Sequence, residues 1–156
     1  MNHGSVFKTG LIVRDLARAI DEIGTWLDLE FTPIQESPLE LEVSGQRERV
    51  LLRFAYSTQG PSYLELIEAQ PTGYYAVDSV GPHLHHVGRW VEDLPRASSS
   101  LAEAGLPLEA AGVDEAGQAP SLFAFHRGEH GLRVELVPLA NRPTFEAWLA
   151  GGTLEI

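Results

Sequence analysis

The sequence predicts an α+β fold: two tandem copies of one β-α-β-β-β unit, followed by a short C-terminal helix. Three observations carry this. The segments Lys8–Leu16 and His86–Leu94 share Gly10/Gly88, Val13/Val91, Asp15/Asp93 and Leu16/Leu94 at a constant offset of 78 residues. The run Tyr63-Leu64-Glu65-Leu66-Ile67 lies over Arg133-Val134-Glu135-Leu136-Val137 at an offset of 70, so the ends of the halves repeat as well as their beginnings. Between these anchors the apolar period passes from two to about 3.6 and back in the same order in both halves. The chain reads as one domain, residues 1–156, with a first module over 5–69, a connection over 70–82, a second module over 83–138 and a tail over 139–156.

Taken in order, Val6 to Val13 alternates apolar and small residues and reads as a strand. Asp15 is an N-cap for a helix in which Leu16, Ala19, Ile20, Ile23, Trp26 and Leu27 recur at three- and four-residue steps. Phe31–Ile34, Glu40–Val43, Arg49–Tyr56 and Tyr63–Ile67 are strand-like, separated by Ser-Pro, Ser-Gly-Gln and Gln-Gly-Pro-Ser turn signals. The connection carries Tyr74, Tyr75 and Val77, too apolar for a free linker, and is expected to pack.

The second half repeats the order. A strand over His85–Val91 leads to the N-cap Asp93 and a helix from Pro95 to Ala104, with Pro95 in the first turn, where its missing N–H costs little, and Gly105 as the terminator. Leu106–Ala110, a polar loop over Gly112–Pro120, and strands over Leu122–His126 and Leu132–Val137 follow. Arg142–Leu149 begins with a proline and suits a short helix, stopped by Gly151-Gly152.

Composition narrows the function classes. With 156 residues and 44% hydrophobic content the chain can bury a core. A formal net charge of −11, with 11 Lys+Arg and no basic cluster, argues against nucleic acid and against an anionic membrane surface. The absence of cysteine excludes disulfides, thiolate metal sites and a cysteine nucleophile. Neither a leader-like N-terminus nor an apolar run of membrane-span length is found, so the expectation is a soluble cytoplasmic protein.

Chemistry concentrates on the strands. Residues two apart share a face, so Lys8 groups with Gly10, His86 with Gly88 and Trp90, and Glu65 with Tyr63. Glu65 and Glu135 interrupt otherwise apolar strands, where an unpaired carboxylate is costly to bury, so something cationic should meet them. By the same parity His85 falls on the opposite face from His86, and His83 falls to the connection. At the offset of 70, Tyr56 lies over His126, nine residues before each glutamate.

These motifs resemble the vicinal oxygen chelate superfamily, which includes glyoxalase I, methylmalonyl-CoA epimerase, extradiol dioxygenases and the bleomycin and fosfomycin resistance proteins. The resemblance runs from about Phe7 to Val137 and rests on Gly10-Leu11-Ile12-Val13-Arg14-Asp15-Leu16, on His85-His86-Val87-Gly88-Arg89-Trp90-Val91-Glu92-Asp93-Leu94, and on the two closing Leu-Glu-Leu and Val-Glu-Leu strands. It implies paired modules forming a curled mixed sheet, a homodimer, and a divalent metal held by one residue from the first and last strand of each module. Those places are Lys8, Glu65, His86 and Glu135. Three suit Zn²⁺, Ni²⁺, Mn²⁺ or Fe²⁺; the fourth does not, because an ammonium has no lone pair.

Two readings stay open: His86, Glu65 and Glu135 hold a metal with Lys8 aside, or the Lys8 ammonium replaces the metal. In either, the resemblance implies a small-molecule enzyme of lyase or isomerase type. Glu135 or Glu65 would abstract a proton next to a carbonyl, with a pKa raised by apolar surroundings, and the cation would stabilise the enolate oxygen. Tyr56, Tyr63, Trp90 and His126 are the candidate pocket residues. Dioxygenase chemistry fits less well, since its usual two histidines and one carboxylate are here one and two. The alternatives are a metal-free drug-binding protein of the resistance type, and a purely structural ion-pair network. Phe145 and Trp148 would close a pocket mouth or cap a dimer seam.

Overall fold

The computed structural model describes residues 6–78 and 83–154. Its elements are β1 (Val6–Val13), α1 (Leu16–Leu27), β2 (Gln35–Val43), β3 (Gln46–Tyr56), β4 (Tyr63–Glu68), β5 (His83–Val91), α2 (Leu94–Glu103), β6 (Leu108–Gly112), β7 (Ala124–Arg127), β8 (Arg133–Pro138), a 3-10 turn (Leu139–Asn141) and α3 (Arg142–Leu149). Both predicted caps form: Asp15 accepts from the Arg18 amide and Asp93 from the Arg96 amide, each at 3.0 Å. α1 stops at Asp28 in the left-handed region, φ 53°, and Gly105 takes φ 92° just past α2.

The eight strands close into a barrel in the order β1-β4-β3-β2-β6-β7-β8-β5. Within each half the first strand runs parallel to the last, β1 with β4 and β5 with β8. The halves are stitched by two antiparallel seams, β1 with β5 and β2 with β6. One chain therefore closes its own cup. α1 covers the outside of the first half through Leu16 and Ile23, and α2 covers the second through Leu94. α3 instead sends Trp148 into the barrel interior, 6.1 Å from the Phe54 ring and 5.5 Å from Tyr56. Phe145 and Trp148 thus close over the barrel. Tyr75, from the connection, is buried in the same interior cluster.

Several element expectations shift: β3 starts three residues before Arg49, and β7 two residues after Leu122. Phe31–Ile34 makes only a bridge from Phe31 to Ser57. The strand that follows α1 is β2, which runs back through Pro38. Pro38 is tolerated because β2 meets β6 only from Leu41 onward, leaving one side of the strand without a ladder at the proline. β6 begins two residues later than Leu106.

The β1/β5 seam explains the repeated glycines. Lys8 lies opposite Gly88 and Gly10 opposite His86. A Cβ on Gly10 would sit 2.2 Å from His86 Cε1, and one on Gly88 would sit 2.7 Å from Lys8 Cε and Cγ. Each module's glycine thus clears space for the other module's polar side chain. G10A is expected to lose about 3 kcal/mol, the upper end of overpacking costs, because the facing imidazole is rigid. G88A should lose about 1 kcal/mol, because the lysine stem can bend away. Urea unfolding with unchanged slopes checks both, and equal losses would contradict this account of the seam.

Candidate functional site

The seam also contains two bulges. Between Leu11↔Leu84 and Gly10↔His86, β5 carries one extra residue, His85; between Val6↔Arg89 and Lys8↔Gly88, β1 carries one extra, Phe7. A bulge lets two consecutive side chains turn to one face. Phe7 and Lys8, and likewise His85 and His86, are all buried. The bulge positions coincide at the sequence offset of 78, so this distortion is part of the repeated unit. It corrects the parity argument for His85, whose Nδ1 lies 3.0 Å from His86 Nδ1 instead of on the opposite face. His83 begins β5, exposed and apart from the cluster.

At the base of the barrel the four predicted positions meet. Lys8 Nζ lies 2.5 Å from Glu135 Oε2 and 3.2 Å from Glu65 Oε2, and donates to the Tyr56 hydroxyl at 2.9 Å. His86 Nε2 lies 3.0 Å from Glu65 Oε2 and 3.1 Å from Glu135 Oε2. All four charged side chains are nearly inaccessible to solvent. Two bases and two acids share one dry pocket, and with His86 protonated their charges sum to zero.

The electrostatics follow. Burial pushes the Lys8 ammonium down, but Glu135 and then Glu65 outweigh it and hold its pKa well above the ordinary value. Burial favours the neutral form of the two glutamates, yet Lys8 and His86 override it: Glu65 is lowered to about 2 and Glu135 is lowered too. The expectation of a raised carboxylate pKa is therefore corrected, since apolar surroundings lose to two adjacent cations. His86 is opposed by burial and raised by Glu135 and Glu65. His85 is pushed down to about 2, chiefly by burial and then by His86, and stays neutral. A protonated His86 then donates through Nδ1 to the lone pair of His85. Tyr56 is driven well above its usual value by burial and then by Glu65, so it remains a phenol with its own proton to donate.

Above the cluster is a cavity of about 200 Å³, lined by Lys8, Glu65, His86, Glu135, Tyr56 and Tyr75 at its polar end and by side chains such as Leu39, Leu52, Phe54 and Phe125 along its walls. Trp90 lies to one side, stacked on Phe7 at 3.9 Å and bordering an adjoining space with Asn141 and Phe145. Tyr63 borders an outer cleft with Trp90 and packs 5.5 Å from Phe145.

His126 is elsewhere. It is fully buried under α2, with Nε2 2.8 Å from Ser98 Oγ and Nδ1 2.7 Å from the Leu106 carbonyl oxygen. The residue paired with Glu135 is Phe125, ten positions before it, whereas Glu65 pairs with Tyr56, nine before. The second hairpin is one residue longer, and a one-residue slip moves a side chain to the other face. Phe125, which an alignment at a single offset passes over, therefore occupies the inward place, 5.1 Å from the His86 ring. Tyr75 had a weaker signal, an aromatic pair in a stretch too apolar to be free.

Glu65, His86 and Glu135 offer ligand atoms all within 4.8 Å of one another, a set that a divalent ion could use. With Lys8 in place the fit fails. Its ammonium already contacts both carboxylate oxygens, and His86 directs Nε2 to the same two atoms. A second cation would have to enter beside the first and displace the imidazole from its acceptors.

The same charge balance sets stability. Glu65, ordinarily near 4.5 and held at about 2, contributes stability at pH values above 4.5, and this is lost as pH falls toward 2. His86, raised above 6.5, contributes fully below 6.5, and that part is lost as pH rises through its folded value. K8M leaves one more buried carboxylate than cations and is expected to lose about 3–5 kcal/mol at neutral pH. Its stability should then rise, not fall, as pH is lowered from about 7 to 5, because the unpaired carboxylate now titrates above its unfolded value. Denaturant midpoints for K8M and wild type across that range check the sign.

Comparison with known proteins agrees with this architecture. Residues 7–125 match the family model described as Glyoxalase/Bleomycin resistance protein/Dioxygenase superfamily. Among solved structures, the chain is similar to methylmalonyl-CoA epimerase from Mycobacterium tuberculosis, at 21% identity over 85% of this chain and 86% of that one, TM-score 0.56. It is also similar to a Streptomyces coelicolor methylmalonyl-CoA epimerase variant in complex with 2-nitronate-propionyl-CoA, at 16% identity over 86% and 93%, TM-score 0.56. A hypothetical protein from Bacillus halodurans C-125 follows at 15% identity over 86% and 93%, TM-score 0.55. No curated protein matches. At these identities the structural likenesses establish the fold, while the family model spans most of the sequence. The chain belongs to the glyoxalase/bleomycin resistance protein/dioxygenase superfamily.

Proposed function

We propose that the protein is an isomerase- or lyase-type enzyme that abstracts a proton next to a substrate carbonyl, with the Lys8 ammonium in the role that a divalent ion has in metal-dependent relatives. The observation that carries this is one ammonium resting on two buried carboxylates at the closed end of an apolar cavity. A substrate carbonyl oxygen entering there accepts from Lys8 Nζ and from the Tyr56 hydroxyl. That draws the ammonium toward the substrate and off the carboxylates, whose proton affinity rises as their partner is shared. Glu135 or Glu65 then takes the proton from the adjacent carbon. The C–H electron pair forms the enolate C=C bond, and the oxygen's developing charge is met by Lys8 and Tyr56. Return of a proton to the carbon completes an isomerisation; expulsion of a β-leaving group completes a lyase reaction. The structural neighbours named as epimerases are compatible with the first outcome.

The rival reading is a non-catalytic binding protein. The observation favouring it is that both carboxylates rest with lowered pKa values, so they are poor bases until a ligand disturbs the cluster. Exchange at carbon separates the two. Enolisable ketones incubated with the protein in D₂O should lose their α-proton NMR signal, and E135Q or E65Q should slow this by about 10²–10⁴-fold. Binding of such ketones with no exchange above buffer would establish the rival.

The role of Lys8 has its own test. Wild-type protein dialysed against Zn²⁺, Ni²⁺ or Mn²⁺ and then against buffer is expected to retain less than about a tenth of an equivalent, whereas K8H should retain about one. Elemental analysis reads both, and a stoichiometric ion in wild type would overturn the substitution of ammonium for metal.

A further inference from the structure

From the charge balance of the cavity we infer that its ligand is neutral and aromatic or polycyclic, a ketone without carboxylate or phosphate groups, and not an acyl-CoA. This deepens the reading of proton abstraction next to a carbonyl and rests on it for the ketone group; the neutrality and aromaticity stand on separate observations.

The first is that no cation is left over. Lys8 and His86 are the basic side chains among the described residues lining the cavity, and both are already matched by Glu65 and Glu135. An anionic substrate would bring an uncompensated charge against a set of buried groups whose charges are already balanced. A neutral carbonyl oxygen needs only a share of the hydrogen bonds that Lys8 and Tyr56 can give. The second is the approach to the site. Apart from Lys8 itself, the adjoining space is lined by uncharged side chains, among them Asn141, Thr144, Leu122 and Leu154. In the neighbouring cleft Arg142 is tied to Glu146 at 2.7 Å. Arg142 is the one basic side chain among the described residues lining that cleft, half-exposed and offset by Glu146, and a single guanidinium so matched is a poor receiver for the several phosphates of a CoA arm on a chain that carries −11. The third is the wall. Phe54, Phe123, Phe125, Phe145 and Trp148 turn their rings to the cavity alongside Tyr56. Such a wall favours a flat, apolar body held by stacking and edge contacts.

Binding tests this without requiring turnover. The probes are 2-tetralone, the same ketone bearing a ring carboxylate, and propionyl-CoA, titrated against the full chain by tryptophan fluorescence and thermal shift. 2-Tetralone is expected to bind at least about tenfold more tightly than either anion. L122R, which adds a cation at the cavity mouth away from the catalytic cluster, should narrow the gap to the carboxylated ketone by about fivefold or more. Equal or reversed preference, an unchanged gap in L122R, or no binding of 2-tetralone up to about 1 mM would overturn the inference. Tight binding of 2-tetralone without α-proton exchange supports the inference while removing the catalytic reading. Exchange seen with propionyl-CoA alone overturns the inference and leaves the catalytic reading intact.

Discussion

The contact between Lys8 and the paired carboxylates of Glu65 and Glu135 is the constraint around which the barrel is arranged. An ammonium at this depth is tolerable only with both acids beside it, and each acid is tolerable only with a cation. The three residues come from β1, β4 and β8, and His86 comes from β5. The cluster therefore spans both modules, and neither module alone could bury its share. Charge neutrality thus acts together with the two antiparallel seams in fixing how the halves meet at the cluster.

The backbone pays for that meeting with repeated irregularities. β1 and β5 each insert one extra residue beside the charged position, and each presents a glycine to the other's long side chain. The bulge brings Phe7 inward with Lys8 and His85 inward with His86, but the chemistry of the two copies has diverged. In the first, the inward extra residue is a ring that stacks on Trp90. In the second, it is a neutral imidazole touching His86. Arg133 donates to the His85 carbonyl oxygen at 2.9 Å and pairs with Glu109 at 2.8 Å, so the bulge is anchored from β8. His85 thus bears on the proton distribution of His86, and through it on both carboxylates.

The modular architecture was legible in the sequence because repetition, caps and apolar period all registered there. Lys8, Glu65, His86 and Glu135 were legible for the same reason, as the chemically distinctive residues at matched places. Two features were not, and both are matters of a single residue. Alternation assumes a regular strand and so places His85 on the outer face; the bulge turns it inward. A fixed offset assumes equal hairpins and so sets His126 over Tyr56; one additional residue between Phe125 and Glu135 turns His126 outward to Ser98 and puts Phe125 in the cavity. Neither insertion leaves a compositional mark, since hydrogen-bond register is decided by pairing between strands far apart in the chain.

Burial is the largest single influence on both glutamates and favours their neutral forms, but Lys8 and His86 together outweigh it. Two cations within about 3 Å hold both acids ionised, which leaves them charged but weakly basic at rest. Their basicity is then conditional on the ligand. In the reaction we propose, an oxygen that takes hydrogen bonds from Lys8 weakens the ammonium's hold on Glu65 and Glu135 as the substrate's α-carbon arrives beside them. A metal ion with fixed ligands would polarise the carbonyl while keeping its grip on those same carboxylates. In that proposed reaction a flexible ammonium would shift by a fraction of an ångström from carboxylate to enolate, following the charge as it moves. Substituting a lysine for a ligating side chain therefore need not remove this kind of chemistry from the fold; it ties the strength of the base to the presence of a carbonyl oxygen.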